Sequence, residues 1–219
     1  MLRLIIGNKV YSSWSLRGWL AVKQSGLPFE EVVVPLYDEA WEARKAQADL
    51  APSKGKVPLL WDGEVPVWES LAILDYLDSI SGGDRFWPQD KAARALALSM
   101  SAEMHAGYVP LRSKHSMHLR LAWPPTTPDD DVQGDIDRIM ALWEQARRHH
   151  GAGGDFLFGA FGAADIMFAP VVARFQSYGL PVTPLGRIYM NAVLAHPFMT
   201  EWYDGAARED WVIPRFEPS

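Results

Sequence analysis

The chain begins with short apolar runs separated by segments of helical spacing. Residues 2–7 form a compact apolar run that predicts a buried strand. The apolar residues that follow have helical spacing, and Gly26 and Pro28 are expected to end that helix. Residues 29–36 include three consecutive valines and predict a second strand. Because a helix connects the two strands, they are expected to pair in parallel.

A helix, a hairpin and another helix are predicted next. Residues 40–50 are rich in Ala, Glu, Arg and Lys, which favour a helix. Two short apolar runs, 57–61 and 65–68, flank Asp62-Gly63, a strong signal for a hairpin turn. Residues 70–80 carry apolar side chains on one helical face. The first half is therefore predicted to be α/β, a mixed four-stranded sheet with helices on its faces.

Strand signals are missing from the second half, which is predicted to be entirely helical. A linker at 81–84 ends at Trp87-Pro88, so we expect two domains, residues 1–82 and 88–219. A proline-rich loop at 123–128 and a glycine-rich break at 151–154 interrupt the helices. The predicted helices cover residues 91–118, 129–150, 163–179, 184–195 and 197–207.

Composition narrows the possible classes of function. The net charge of -6 argues against sequence-independent binding of nucleic acid, which requires a basic face. No apolar run reaches the roughly 20 residues of a membrane helix, and the first run is too short for a signal peptide, so a cytoplasmic protein is expected. The chain contains no cysteine, which excludes disulfides, thiolate metal sites and a cysteine nucleophile.

Hydroxyl groups crowd the junction between the first strand and its helix. Residues 11–17 read Tyr-Ser-Ser-Trp-Ser-Leu-Arg. Serine is a good helix cap, so these residues are explained equally well as an ordinary N-cap. Alternatively, the positive end of the helix together with nearby hydroxyl donors forms a site for an anion such as a thiolate.

Two further segments offer binding groups at the ends of strands. In Lys56-Val57-Pro58-Leu59, the proline leaves the backbone edge at Val57 available to another extended chain, although a simple turn explains it too. At Glu69-Ser70, a helix start and a carboxylate together match the two charges of an amino-acid head group. A cap beside a surface carboxylate is the alternative.

The order and spacing of these three segments resemble glutathione transferases across essentially the whole chain. The resemblance implies a thioredoxin-like first domain followed by an all-α second domain. Residues 12–17 look most like the zeta class, which includes maleylacetoacetate isomerases, although that class has cysteine where this chain has Trp14. The Val57-Pro58 pair resembles the family's cis-proline turn. Residues 159–165 resemble its helix-capping box, with Gly162 in place of the usual Ser or Thr.

The resemblance also implies roles for individual residues. Ser12 matches the serine that activates the thiol of glutathione, Ser13 is its rival, and Tyr11 is a third candidate. The glutathione-binding set comprises Ser12, Trp14, Arg17, Lys56, Val57, Glu69 and Ser70. Within it, Glu69 and Ser70 hold the γ-glutamyl group, Val57 pairs with the cysteinyl backbone, and Lys56 meets the glycine carboxylate. Arg17 holds the loop.

A glutathione S-transferase that attacks small hydrophobic electrophiles is therefore expected, with glutathione as co-substrate and a homodimer as the assembly. The electrophile pocket is expected to be lined by His105, Tyr108 and Arg112, between the domains. Two alternatives stay open: a glutathione-dependent cis–trans isomerase, and a non-catalytic glutathione-binding module. The pairs His115/His118 and His149/His150 have no acidic partner at a suitable spacing, so no metal site is expected.

Overall fold

A computed structural model describes residues 1–125 and 127–217. The strands are β1 (Leu2–Ile6), β2 (Phe29–Val33), β3 (Leu59–Asp62) and β4 (Val65–Trp68). They form one sheet in the order β2-β1-β3-β4. β1 and β2 pair in parallel, whereas β3 is antiparallel to both β1 and β4. The predicted mixed sheet and its parallel pair are confirmed.

Three helices accompany the strands: α1 (Ser13–Ser25), α2 (Trp41–Lys45) and α3 (Ser70–Ile80). Gly26 ends α1 in the left-handed conformation, as its position predicts. The helix predicted over residues 40–50 is shorter than expected. Turns and a 3-10 helix, Ala51–Ser53, replace its end because Pro52 disfavours a continuing helix and buried Leu50 packs with Ile5 and Leu59 of the sheet.

The rest of the chain is helical, as predicted. The helices are α4 (Lys91–Ala106), α5 (Val109–Lys114), α6 (Asp130–His150), α7 (Ala163–Tyr178), α8 (Pro184–Leu194) and α9 (Pro197–Ala207). The single helix predicted over residues 91–118 is wrong. It breaks at Gly107 and Tyr108, where Tyr108 has a φ of 56°. The ring of Pro110 would clash with the carbonyl of Ala106 in an unbroken helix, so the chain turns and starts α5.

α7 is the buried centre of the molecule and contacts both α1 and α4. Asp165, in its first turn, accepts hydrogen bonds from the backbone N–H of Gly162 (2.9 Å) and of Leu157 (3.0 Å). Asp165 thus provides a capping interaction at the predicted box, although Gly162 offers no side-chain acceptor. Burial raises the pKa of Asp165 to about 6. Among the described residues, none of the helices combines the length and apolar character that a membrane span requires.

Candidate functional site

The first of two neighbouring cavities lies where β3 and β4 meet the helices, and we call it the sheet-side cavity. Its volume is about 260 Å³. The Val57–Pro58 peptide bond beside it is cis, which the resemblance of this pair predicts. Ser53 orders the preceding loop, because its hydroxyl donates to the carbonyl of Lys56 at 2.6 Å. The lining residues are Trp14, Ser53, Lys56, Val57, Pro58, Trp68, Glu69, Ser70 and His105.

Glu69 and Ser70 lie at the start of α3, beside a histidine from the helical half. Glu69 has a φ of 68°, and its side chain is 54% exposed. His105, on α4, approaches both residues: its Nε2 lies 3.4 Å from the Glu69 carboxylate, and its Nδ1 lies 3.4 Å from the Ser70 hydroxyl. Burial lowers the pKa of His105, against the opposing effect of Glu69. The neutral imidazole is therefore favoured at neutral pH, and the Glu69 carboxylate stays available to a cation.

The second cavity lies between the start of α1 and helices α5 and α7, and we call it the helix-side cavity. Its volume is about 360 Å³. Ser13 lines it and accepts a hydrogen bond of 3.2 Å from Nη2 of Arg174 on α7. Trp14 lines both cavities and separates them. The lining residues are Tyr11, Ser13, Trp14, Val109, Arg112, Ser113, Ser116, Met117, Arg174 and Phe216.

Ser12, which lines neither of these two cavities, caps α1. Its Oγ accepts from the backbone N–H of Ser15 (3.3 Å) and lies 2.7 Å from the Ser15 Oγ. Ser15 is fully buried, and its hydroxyl also accepts from the backbone N–H of Gly7 at 2.9 Å. The crowded hydroxyls thus form a connected chain at the positive end of the helix.

Three arginines lie in or beside the wall of the helix-side cavity, and none has a carboxylate partner among the described residues. Arg112 and Arg174 line the cavity, whereas Arg17 is buried against Trp14, which lines it. Arg17 donates to the carbonyls of Met167 and Ser13, and Arg112 donates to that of Gly107. Arg174 donates to two backbone carbonyls besides the Ser13 hydroxyl. The guanidinium groups of Arg17 and Arg112 lie 4.5 and 4.8 Å from the centre of the Trp14 ring.

Burial lowers the pKa of each of these arginines. Burial, followed by repulsion from the charge of Arg112, lowers the pKa of Arg174 to about 10. The pKa of Arg17 lies well below its ordinary value because of burial and then the repulsion of Arg174 and Arg112. Arg112 is half-buried and Arg174 is buried, and both line the cavity, so an anion that entered it would be stabilised by positive charges that lack a counter-ion among the described residues.

The three residues expected to line the electrophile pocket do not share one cavity. Arg112 lines the helix-side cavity, whereas His105 lines the sheet-side cavity. Tyr108 lines neither, because it is 6% exposed and its hydroxyl donates to Glu103 at 2.7 Å. Tyr11 lines the helix-side cavity, but its hydroxyl donates to Glu217. Within residues 1–125 and 127–217, no group of three or more His, Cys, Asp or Glu side chains could hold a metal ion.

Sequence reasoning missed several residues of the site. Arg174 was detectable as the one basic residue in the mostly apolar helix α7, a pattern that predicts a buried positive charge. Ser15 belonged to the serine-rich segment but had no assigned role. Phe216 and Glu217 carried no signal in the sequence, because their contacts join residues about 200 positions apart.

Comparisons with known proteins match both halves of the chain. The family model described as glutathione S-transferase, N-terminal domain, matches residues 11–80, and the corresponding C-terminal domain model matches residues 111–205. The chain is 30% identical over 188 residues to the maleylacetoacetate isomerase of Rattus norvegicus, covering 83% of this chain and 82% of that protein.

A relative from Vibrio cholerae, a probable maleylacetoacetate isomerase, is 33% identical over 109 residues, covering 48% of this chain. The match spans about half of that relative's length, 51%. Among solved structures, a glutathione transferase homolog from Burkholderia with bound glutathione has a TM-score of 0.68. It is 22% identical, and the match covers 95% of this chain and 99% of that one, a likeness that shows the fold.

Proposed function

This chain belongs to the glutathione S-transferase family, and we propose that it binds glutathione in the sheet-side cavity. We further propose that the thiol of the bound tripeptide attacks a small electrophile in the helix-side cavity. The observation that carries this proposal is that the two cavities share one wall, Trp14, in the first turn of α1. A thiolate at this boundary faces the positive end of a helix and reaches the neighbouring cavity.

The groups around the sheet-side cavity match the parts of glutathione. The N–H groups at the start of α3, with the Ser70 hydroxyl, suit the γ-glutamyl carboxylate, and Glu69 suits its ammonium group. The backbone edge at Val57 suits the cysteinyl unit, and Lys56 suits the glycine carboxylate. His105 from α4 extends this set, because it lies against both Glu69 and Ser70.

Counting protons supports Ser12 as the thiol's hydrogen-bond donor. Either hydroxyl of a hydrogen-bonded pair can be the donor. If the Ser15 hydroxyl donates to the Ser12 Oγ, the proton of this buried hydroxyl has an acceptor, and the Ser15 Oγ still accepts from the backbone N–H of Gly7. The proton of the Ser12 hydroxyl is then available to a ligand. The opposite direction leaves the Ser15 proton without an acceptor among the described residues, which is costly for a buried group.

The energetic requirement is modest. A cysteine-type thiol has a pKa of about 8.5, and lowering it by about two units requires roughly 2.7 kcal/mol. A hydrogen bond to a charged group contributes about 1.5–3 kcal/mol, and a helix end contributes about 0.3–1 kcal/mol.

Ser13 is the rival donor, because it accepts from Arg174 and its own proton is then free to point into the helix-side cavity.

Calorimetry with reduced glutathione, combined with the pH–rate profile, tests the proposal. Ser12→Ala is expected to raise the pKa of the bound thiol and to leave glutathione affinity nearly intact, whereas Glu69→Ala weakens binding. Glu64→Ala, an exposed carboxylate in the hairpin, is the control for Glu69. If the pKa of the bound thiol rose in Ser13→Ala and not in Ser12→Ala, Ser13 would be the hydrogen-bond donor to the thiol. Absence of glutathione binding to the wild type would overturn the function, and binding without a lowered thiol pKa would indicate a non-catalytic module.

A second candidate function is a glutathione-dependent cis–trans isomerase acting on a carboxylated substrate. Arg112 and Arg174 in the wall of the helix-side cavity favour it, since a carboxylate there would neutralise charges that lack an acidic partner among the described residues. The thiolate would add to a cis double bond conjugated to a carbonyl group, whose oxygen would take up the electron pair as an enolate. The resulting single bond would rotate, and collapse of the enolate with cleavage of the C–S bond would release the trans product and regenerate the thiolate of glutathione.

Following cis–trans conversion alongside the glutathione concentration separates the two candidates. Turnover without net loss of glutathione supports the isomerase, whereas stoichiometric loss supports the transferase. Arg112→Gln is expected to lower kcat/KM for a carboxylated electrophile by about tenfold and to leave that for a neutral one unchanged. Equal effects on both electrophiles would contradict the proposed role of the arginines.

A further inference from the structure

The segment of residues 213–217 contributes Phe216 to the wall of the helix-side cavity, although it lies about 200 residues from the start of α1. A short 3-10 helix, Pro214–Phe216, positions the Phe216 ring in the cavity lining. That ring stacks on Tyr11, with the ring centres 5.9 Å apart and the planes at 28°. The cavity wall therefore depends on how this segment is held.

Two donors from the interior hold Glu217. Its carboxylate Oε1 accepts from the Tyr11 hydroxyl and lies 3.0 Å from Nε2 of His118. The His118 side chain is 2% exposed, and its Nδ1 accepts from the backbone N–H of Arg120. The ring proton is therefore on Nε2 and points to Glu217. A carboxylate with two such donors forms a charge-assisted anchor, which is stronger than a hydrogen bond between neutral groups.

Two more contacts attach the segment to the rest of the molecule. The Arg215 guanidinium lies 3.7 Å from the centre of the Tyr37 ring, in the loop after β2. Ile213 is 3% exposed and belongs to a small apolar cluster with Val10 and Tyr11, separate from the main core. Each contact joins the segment to residues of the sheet-containing half, so Phe216 has a defined position.

We propose that Phe216 is a specificity-determining residue of the electrophile site, and that Glu217 is a positioning residue that holds Phe216 there through Tyr11 and His118. This inference rests on the proposed function, because it takes the helix-side cavity as the electrophile's site. The aromatic wall favours apolar groups that pack against the ring. It leaves the glutathione-binding groups untouched, since none of the residues lining the sheet-side cavity belongs to the segment.

Ligand binding to the full chain tests the role of Phe216 without catalysis. Under the proposed function, glutathione would fill only the sheet-side cavity, whereas S-hexylglutathione would also extend its hexyl chain into the helix-side cavity. Phe216→Ala and Glu217→Ala are expected to weaken S-hexylglutathione about three- to tenfold and to leave the Kd of glutathione unchanged. Glu217→Gln, which keeps an acceptor for both donors, should restore most of the affinity. Glu144→Ala is the control, because its side chain is 30% exposed and that of Glu217 is 31% exposed.

A second measurement tests the anchor without any glutathione. Trypsin cleavage after Arg215, relative to cleavage after exposed Arg208, reports how firmly the segment is held. Tyr11→Phe removes a donor to Glu217 without changing the sequence around the cleavage site. It is expected to speed this cleavage about fivefold, as is Glu217→Ala.

The outcomes separate the two claims. Wild-type affinities for S-hexylglutathione in Phe216→Ala would overturn the specificity role while leaving the proposed function intact. Unchanged cleavage in Tyr11→Phe and Glu217→Ala would overturn the anchor. If the wild type bound neither ligand, the proposed function would fail and the specificity role of Phe216 with it, whatever the cleavage rates.

Discussion

At the scale of single residues, a hydroxyl can donate a hydrogen bond to a thiolate only if its proton is not already donated to another group of the protein. Tyr11 has its hydroxyl bound to Glu217, and burial followed by this hydrogen bond raises its pKa to about 12. It is therefore a structural donor at neutral pH. Ser12 and Ser13 each accept a hydrogen bond and can keep their own protons for a ligand. The composition of residues 11–17 does not distinguish these three cases.

Ser15→Ala tests whether the buried hydroxyl orients Ser12. If the Ser15 hydroxyl donates to the Ser12 Oγ, as proposed above, the substitution removes that donor. We therefore expect the pKa of glutathione's bound thiol to rise by about half to one unit, with little change in glutathione affinity. The measurement is the pH dependence of single-turnover conjugation. Ser25→Ala is the matched control, because Ser25 is a buried serine on the same helix that donates to the carbonyl of Val22. Identical pH profiles in the two variants would remove Ser15 from the mechanism.

At the scale of elements, the Val57–Pro58 turn beside the sheet-side cavity depends on the close approach of α1. A Cβ added at Gly18 would lie 2.6 Å from Cβ of Pro58 and 2.7 Å from its Cγ. Only glycine allows the helix to pack this tightly against the Val57–Pro58 turn. The same helix presents Ser12 and Trp14 at its start, so its position controls both cavities.

Gly18→Ala is expected to lower the free energy of unfolding by about 1–3 kcal/mol through overpacking, although alanine favours helices. It should also weaken glutathione binding, because Pro58 must move. Gly134→Ala in α6 is the control: an added Cβ meets nothing within 4 Å, so stability should rise by about 0.5–1 kcal/mol. Chemical denaturation and calorimetry on both variants check the comparison. An increase in the free energy of unfolding in Gly18→Ala would show that the Val57–Pro58 turn can move away from α1 at little cost.

At the scale of the whole molecule, exposed apolar side chains identify a candidate contact surface. Val65, Ile80 and Leu98 are 52%, 40% and 42% exposed. They lie on β4, α3 and α4, and α3 contacts both of the other elements. Exposed apolar groups on adjoining elements are typical of a subunit interface. The homodimer expected from the family resemblance stays a prediction.

Val65→Asp and Leu98→Asp are expected to shift the protein from dimer to monomer, because each places a charge in a contact that excludes water. Native mass spectrometry reports the change as a loss of the species at twice the chain mass of 24.6 kDa. Ile188→Asp is the control, since Ile188 is 57% exposed on α8, away from these elements. If only the control changed the mass, or the wild type were monomeric, this surface would not be the interface.

The amino-acid pattern alone determined most of the secondary structure, because apolar periodicity and turn residues act over short distances. It predicted the mixed sheet, the all-helical second half and the positions of the Val57-Pro58 turn and of Glu69-Ser70. The break before α5 was encoded as well, by Pro110, although the helical spacing on both sides concealed it.

The tertiary structure alone decided which side chains share a cavity. Arg174 reaches Ser13 across 161 positions of sequence, Glu217 reaches Tyr11 across 206, and His105 reaches Ser70 across 35. These contacts form because α7 packs against α1, because the last described segment packs against Val10 and Tyr11 just before α1, and because α4 packs against α3. Local patterns specify the elements but not which distant faces meet, so the roles of charged and hydroxyl groups at those contacts depend on the packed molecule.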